Sequence, residues 1–150
     1  MRIADDVRIT PKNVSDKNYQ LGKYWYNTTT NSGGYIHLKT NIANKSSVMF
    51  HIQCEGFNYG RARAIDSVVT GYTYSGWDSV LNQYMVNYAG GASIESTYIS
   101  SDNYVCIRLY SSSWYYSGFL VHAMFPCPSG RGHVLEITDT NFNQNNGSHF

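Results

Sequence analysis

The chain is poor in charge: Asp, Glu, Lys and Arg make up 14% of its 150 residues, and the formal net charge is +1. Without a basic stripe or a polybasic amphipathic segment it has no electrostatic footprint for nucleic acid and no handle for an anionic lipid surface. Neither nucleic acid nor membrane insertion is expected. Long apolar runs are missing too, and residues 1–7 carry no apolar signal-peptide core, so neither a spanning helix nor a signal peptide is expected. Cysteine is scarce. Cys54, Cys106 and Cys127 are an odd number without CxxC spacing, which argues against a disulfide framework and against a zinc site. Cys54 and Cys106 read as reduced, buried core residues. Cys127, between Pro126 and Pro128, reads as a turn thiol open to reaction.

Catalytic signatures are also lacking. A glycosidase needs two carboxyls flanking one bond, but Glu55, Asp66, Asp78, Glu95, Asp102 and Glu136 are scattered along the chain. There is no Gly-x-Ser-x-Gly elbow, no Gly-x-Gly-x-x-Gly opening a helix and no Walker pattern. His37, His51, His122 and His133 form no His-x-His pair and read singly as half-exposed strand residues. No catalytic residue, cofactor or metal is expected. Sequons at Asn13, Asn27, Asn44 and Asn146 are what a chain this rich in Asn, Ser and Thr contains by chance.

What the chain does have is alternation with a period of two, over a length that suits one domain burying about 70% of its unfolded surface. Val48, Phe50, Ile52 and Cys54 share one face against Met49, His51, Gln53 and Glu55. Val105, Ile107 and Leu109 point inward against Tyr104, Cys106, Arg108 and Tyr110. Phe119, Val121, Ala123 and Phe125 alternate with Leu120, His122 and Met124, a strand expected to be buried on both faces. Weaker strands are expected over 35–40, 67–74, 93–100 and 133–138, and only 79–88 reads as a strand or a short helix. Short strands with polar turns between them predict an all-β fold, an antiparallel, jelly-roll-like β-sandwich. Composition divides the chain into a leading segment (1–23), the sandwich (24–138) and an Asn-rich polar tail (139–150).

The run Gly34-Tyr35-Ile36-His37-Leu38-Lys39-Thr40-Asn41-Ile42, followed by Val48-Met49-Phe50-His51-Ile52 and Gly56-Phe57-Asn58-Tyr59-Gly60, resembles C-terminal tip domains of tail-fibre and structural proteins of bacterial viruses. Ile65-Asp66-Ser67, Gly71-Tyr72 and the stretch from Asp102 to Leu109 extend the similarity over residues 34–126. The resemblance implies a virion-borne receptor-binding or adhesive tip, a homotrimer without cofactor or catalysis. It transfers no binding residue. No coiled-coil heptads or collagen-like shaft precede the domain. The face Tyr104/Cys106/Arg108/Tyr110, too apolar for solvent, is where a trimer contact is expected.

Fourteen tyrosines supply the candidate site. Many cluster in turn-like segments: Tyr24-Trp25-Tyr26, Tyr72-Thr73-Tyr74-Ser75-Gly76-Trp77 and Trp114-Tyr115-Tyr116. Rigid amphipathic rings on polar loops give contact area at low entropic cost and keep a polar handle. Sugars offer apolar C–H faces to such rings and hydroxyls to neighbouring Asn, Asp and Ser, so a host-surface glycan is the expected ligand. Tyr72, Tyr74, Trp77, Asp78, Trp114, Tyr115 and Tyr116 are the candidate contacts, on the argument that a tryptophan in a Gly/Ser-rich turn has no packing reason to be there. A host protein surface as receptor, and a decoration or shaft-capping module whose aromatics bury at subunit contacts, remain alternatives.

Overall fold

The computed structural model of the chain describes residues 22–27, 32–45, 48–125, 137–143 and 150. These form nine strands: β1 (Gly22–Asn27), β2 (Gly34–Ala43), β3 (Val48–Asn58), β4 (Arg63–Thr73), β5 (Leu81–Asn87), β6 (Ser93–Ile99), β7 (Tyr104–Ser111), β8 (Ser117–Met124) and β9 (Ile137–Asn143). Among the described residues no helix is long and apolar enough to cross a membrane.

The alternation decides which side of each strand is buried. In β2, Ile36, Leu38, Thr40 and Ile42 are buried. In β4, Ile65, Ser67, Val69, Gly71 and Thr73 follow the same rule. Strands such as these have one apolar face to hide, and two sheets stacked face to face hide these faces together. The first sheet runs β1-β8-β3-β4-β5 and the second β6-β7-β2-β9. Every described pairing is antiparallel. Between them lies one core that includes Ile36, Phe50, Ile52, Val69, Ile107, Trp114 and Phe119. The all-β antiparallel sandwich is the fold expected from the sequence. Early strands pair with late ones (β1 with β8, β2 with β7), which is the nesting of a jelly roll, whereas β3, β4 and β5 run as a meander within one sheet.

Several polar groups inside the sandwich are paired, although the buried Ser117 hydroxyl has no partner. Thr40 Oγ1 donates to the Val105 carbonyl (2.7 Å), Ser67 Oγ to that of Ala92 (3.1 Å) and Thr73 Oγ1 to that of Lys45 (2.7 Å). An unpaired hydroxyl at such depth would cost about 1–3 kcal/mol. Gly71 is required by packing: a Cβ there would stand 2.5 Å from Val80 and 2.7 Å from Phe50.

Several expectations are resolved or corrected. Residues 79–88 are not helical: β5 is an edge strand with three consecutive exposed residues, which is why its sequence shows no clean alternation. The outer face of β8 is not buried, since Met124 is 67% exposed. His37 is fully buried rather than half-exposed, with Nδ1 3.0 Å from the Tyr98 hydroxyl. His51 and His122 are half-buried as expected, whereas His133 and Cys127 lie outside the described residues. On the face carrying Tyr104, Cys106, Arg108 and Tyr110, Tyr104 and Arg108 are half-buried and Tyr110 is 37% exposed. Cys106 has no exposed surface, Arg108 lies 5.5 Å from the Tyr35 ring centroid, and Lys39 Nζ stands 5.7 Å from that of Tyr104. Strand β9 also carries residues 139–143, assigned to the tail by composition, into the second sheet beside β2.

Candidate functional site

The candidate residues divide between the two ends of the sandwich. Antiparallel register places the β2–β3, β4–β5 and β6–β7 loops at one end, and the β3–β4, β5–β6 and β7–β8 loops at the other. Tyr72, Tyr74, Trp77 and Asp78 belong to the first end, and Trp114, Tyr115 and Tyr116 to the second. With 11 residues in β4 and about 3.3 Å per residue, roughly 35 Å separates the ends, so the seven do not form one site.

At the first end, residues 43–45, 75–78 and 102–104 enclose a cleft of about 480 Å³. Trp77 is presented there by a turn that the Trp77 amide closes on the Tyr74 carbonyl at 3.1 Å. Gly76, third in that turn, has φ 88°, the left-handed conformation a type II turn needs at that position. The indole is 54% exposed. Asn44 ties the three loops together, its backbone N–H donating to the Asn103 carbonyl and its Nδ2 to the Trp77 carbonyl, both at 2.9 Å. Its Oδ1 is buried and has no hydrogen-bond partner. Asp102 accepts from Lys39 and, at 2.6 Å, from Ser100. These two hydrogen bonds, that of Lys39 first, hold its carboxyl below the usual carboxylate range, so it is ionised at neutral pH. The cleft thus combines two aromatic rings, Trp77 and Tyr104, with two carboxylates, two amides and one ammonium. Tyr72 and Tyr74 stack on each other at 6.2 Å but do not line it.

At the second end, Phe57, Tyr59, Tyr115 and Tyr116 line a more apolar cleft of about 450 Å³. Its three tyrosines meet edge to face: centroids are 4.8 Å apart for Tyr115 and Tyr116, and 6.1 Å for Tyr59 with each of them. Two main-chain bonds hold the loops in place, from the Tyr59 amide to the Tyr116 carbonyl (3.1 Å) and from the Gly60 amide to that of Tyr115 (2.9 Å). Beneath them sits Asn58, 1% exposed. Its Nδ2 reaches the Gly91 carbonyl (2.7 Å), the Ser113 carbonyl (2.8 Å) and Ser111 Oγ (3.0 Å), and its Oδ1 accepts from the Arg61 amide (3.1 Å). One amide side chain thereby fixes three loops.

Trp114 is a correction. It is wholly buried, donates from Nε1 to the Gly34 carbonyl at 3.0 Å and packs on Phe119 with centroids 6.0 Å apart. Its packing reason is the core itself, and a ring without surface has no face to offer a ligand. Phe57, Tyr59 and Tyr104 are site-lining aromatics the sequence reading passed over. Tyr59, next to Gly60 in a turn, satisfies the same criterion that singled out Trp77. Side chains of residues 22–27, including Tyr24, Trp25 and Tyr26, lie outside the described set.

Among the described residues no three His, Cys, Asp or Glu side chains gather as a metal site. Comparison with known protein families, with curated proteins and with solved structures finds no match for this chain.

Proposed function

We propose that this domain is a non-catalytic carbohydrate-binding module, the receptor-recognition tip of a viral fibre, which seats a host-surface sugar in the Trp77 cleft. The observation that carries the sugar reading is the exposed Trp77 indole, held by a left-handed Gly76 over a cleft lined by Asn44, Asp78, Asp102 and Asn103. A ring to stack on and planar polar groups at its margin are what a saccharide needs. The unpartnered Asn44 Oδ1 adds an acceptor that a small opening of the cleft would offer to a ligand hydroxyl. The viral setting rests on the resemblance of strands and turns described above.

The test is a glycan array probed with wild type and Trp77→Ala. Selective loss of the bound glycans, by about 2 kcal/mol as hot-spot truncations commonly cost, with thermal stability unchanged, is the expected result. Equal binding by both proteins, or no glycan bound at all, would sink it.

The structural reading, a virion module whose aromatics and apolar side chains form subunit contacts, is favoured by a different surface. On the outer face of the first sheet Met49 is 63% and Met124 67% exposed, and Tyr84 stands opposite Thr70 in the same sheet. Exposed large apolar side chains grouped on one face mark association sites. A homotrimer would bury them, and a trimeric mass in light scattering that falls to the monomer in Met49→Lys/Met124→Lys is the outcome expected of this reading.

A further inference from the structure

At the end opposite the Trp77 cleft, the second cleft is lined by Phe57, Tyr59, Tyr115 and Tyr116, with no ionic side chain among them. The arginines of these loops stand apart from it. Neither Arg61 nor Arg63 lines the cleft, and the pairing of Phe57 with Ala64 and of Asn58 with Arg63 puts Arg63 on the other face of the sheet from Phe57. The rings of Tyr59, Tyr115 and Tyr116 contact one another, but among the described residues their hydroxyls make no hydrogen bond. Gly60 lets the β3–β4 and β7–β8 loops meet: a Cβ there would stand 2.5 Å from Ser113 Oγ and 3.1 Å from Tyr115 Cβ. Tyr116 is 42% exposed yet held at φ 46°, a left-handed conformation unfavourable to a bulky L-residue. Such strain persists where the surroundings over-determine it, and it clusters at ligand clamps.

We infer that the Phe57/Tyr59/Tyr115/Tyr116 cleft is a second, independent binding site, for an uncharged saccharide. Its chemistry excludes the other classes in turn. An ionic ligand would give up water there and find no charged partner in the lining. A wholly apolar ligand would cover three phenol groups and replace none of the water bonded to them. An extended peptide needs main-chain partners, but the amides of Tyr59 and Gly60 are already bonded to the carbonyls of Tyr116 and Tyr115. A pyranose ring matches what is left, with C–H groups for the aromatic walls and hydroxyls for the phenols. The cleft, of about 450 Å³, lies within the range of small-ligand sites. Asn58 keeps the three loops in register before any ligand arrives, so little ordering is left to be done on binding. The site stands on these observations alone and does not depend on the Trp77 cleft.

Calorimetric titration of the full chain carrying Trp77→Ala tests it, with chitohexaose, cellohexaose and mannohexaose as uncharged probes and a galacturonate hexamer as the charged comparison. At least one uncharged hexasaccharide is expected to bind, tenfold or more tighter than the galacturonate. Adding Tyr59→Ala should lower that affinity tenfold or more, as loss of a central aromatic contact does. Tyr59→Phe, which keeps the ring and loses the hydroxyl, should fall in between. Tyr116→Gly removes a wall and relieves the left-handed backbone, so binding should drop tenfold or more while the melting temperature stays at or above that of the parent. Binding of none of the uncharged probes, preference for the galacturonate, or full affinity in Tyr59→Ala or Tyr116→Gly each overturns the site. A lowered melting temperature in both Tyr59→Ala and Tyr116→Gly also overturns it, since the rings would then be packing alone. So does self-association that Tyr59→Ala abolishes in a protein that binds no sugar, because the cleft then belongs to a second copy of the chain. Trp77 is absent from every protein titrated, so the two sites fail separately.

Discussion

The indole nitrogen of Trp114 donates to the carbonyl of Gly34 over 3.0 Å, tying the β7–β8 loop to the first residue of β2. That bond and the surrounding core make Trp114 a structural anchor. Trp114→Ala should destabilise the domain by about 3–5 kcal/mol in urea denaturation. Trp114→Phe, which keeps most of the volume but strands the Gly34 carbonyl, should cost about 1–3 kcal/mol. A Trp114→Ala protein as stable as wild type would refute the anchoring role.

Asn58 has a comparable role among the loops of the tyrosine end. Asn58→Ala removes the amide donor from the Gly91 and Ser113 carbonyls and leaves them only Ser111 Oγ, whose single proton can serve one of them, at an expected cost of about 1–3 kcal/mol. Hydrogen exchange should quicken in all three loops together, at Arg61, Gly91 and Ser113. Quickening confined to the β3–β4 turn would show that Asn58 serves its own hairpin alone.

Gly76 isolates backbone conformation from packing. A Cβ at that position meets nothing within 4 Å, so its φ of 88° is the only obstacle to substitution. Gly76→Ala is expected to cost about 1 kcal/mol. It should also weaken glycan capture, because relaxing the turn moves Trp77. Unchanged stability would mean that the turn adapts and that Trp77 is not held by it.

Burial pushes the Cys106 thiol up to about 12 and raises that of Cys54 by the same cause. In the unfolded chain both ionise near pH 8.5. Above that pH the unfolded state has lost protons that the folded state retains, so this contribution is complete below pH 8.5 and declines as pH rises. The urea midpoint should fall between pH 9 and 11, and less steeply in Cys54→Ala/Cys106→Ala. In a Cys127→Ser background neither remaining thiol should react with a disulfide reagent at pH 8 until urea is added. Rapid native labelling would contradict their burial.

Strands with a steady alternation were legible from sequence because burial largely follows the pattern: Phe50, Ile52 and Cys54 are buried in β3, and Val105, Ile107 and Leu109 in β7, where Cys106 on the other face is the exception. Strand β5 was not, because an edge strand that is solvated on several sides has no face to advertise. The two tryptophans show the limit more sharply. Trp77 and Trp114 both sit in Ser-rich turns, yet one is exposed and the other buried. The difference lies in a partner 80 positions away in the chain, Gly34, which no local window contains. The sorting of the aromatic clusters to opposite ends likewise depends on strand direction, which emerges only when the strands are counted in order.

The nested pairing has a consequence for how the molecule is made. Strands β1 and β2 leave the ribosome first, but β8, β7 and β9, their hydrogen-bonding partners, come last. Through most of synthesis β2 holds Ile36, Leu38 and Ile42 on a ladder with both edges unfilled. The meander β3-β4-β5 and the hairpin β6-β7 can close as they emerge, since their neighbours in space are their neighbours in the chain. Folding therefore waits for contacts of large sequence separation, which places it among slow, millisecond-to-second folders. During that wait β2 is the segment most exposed to pairing with the wrong chain.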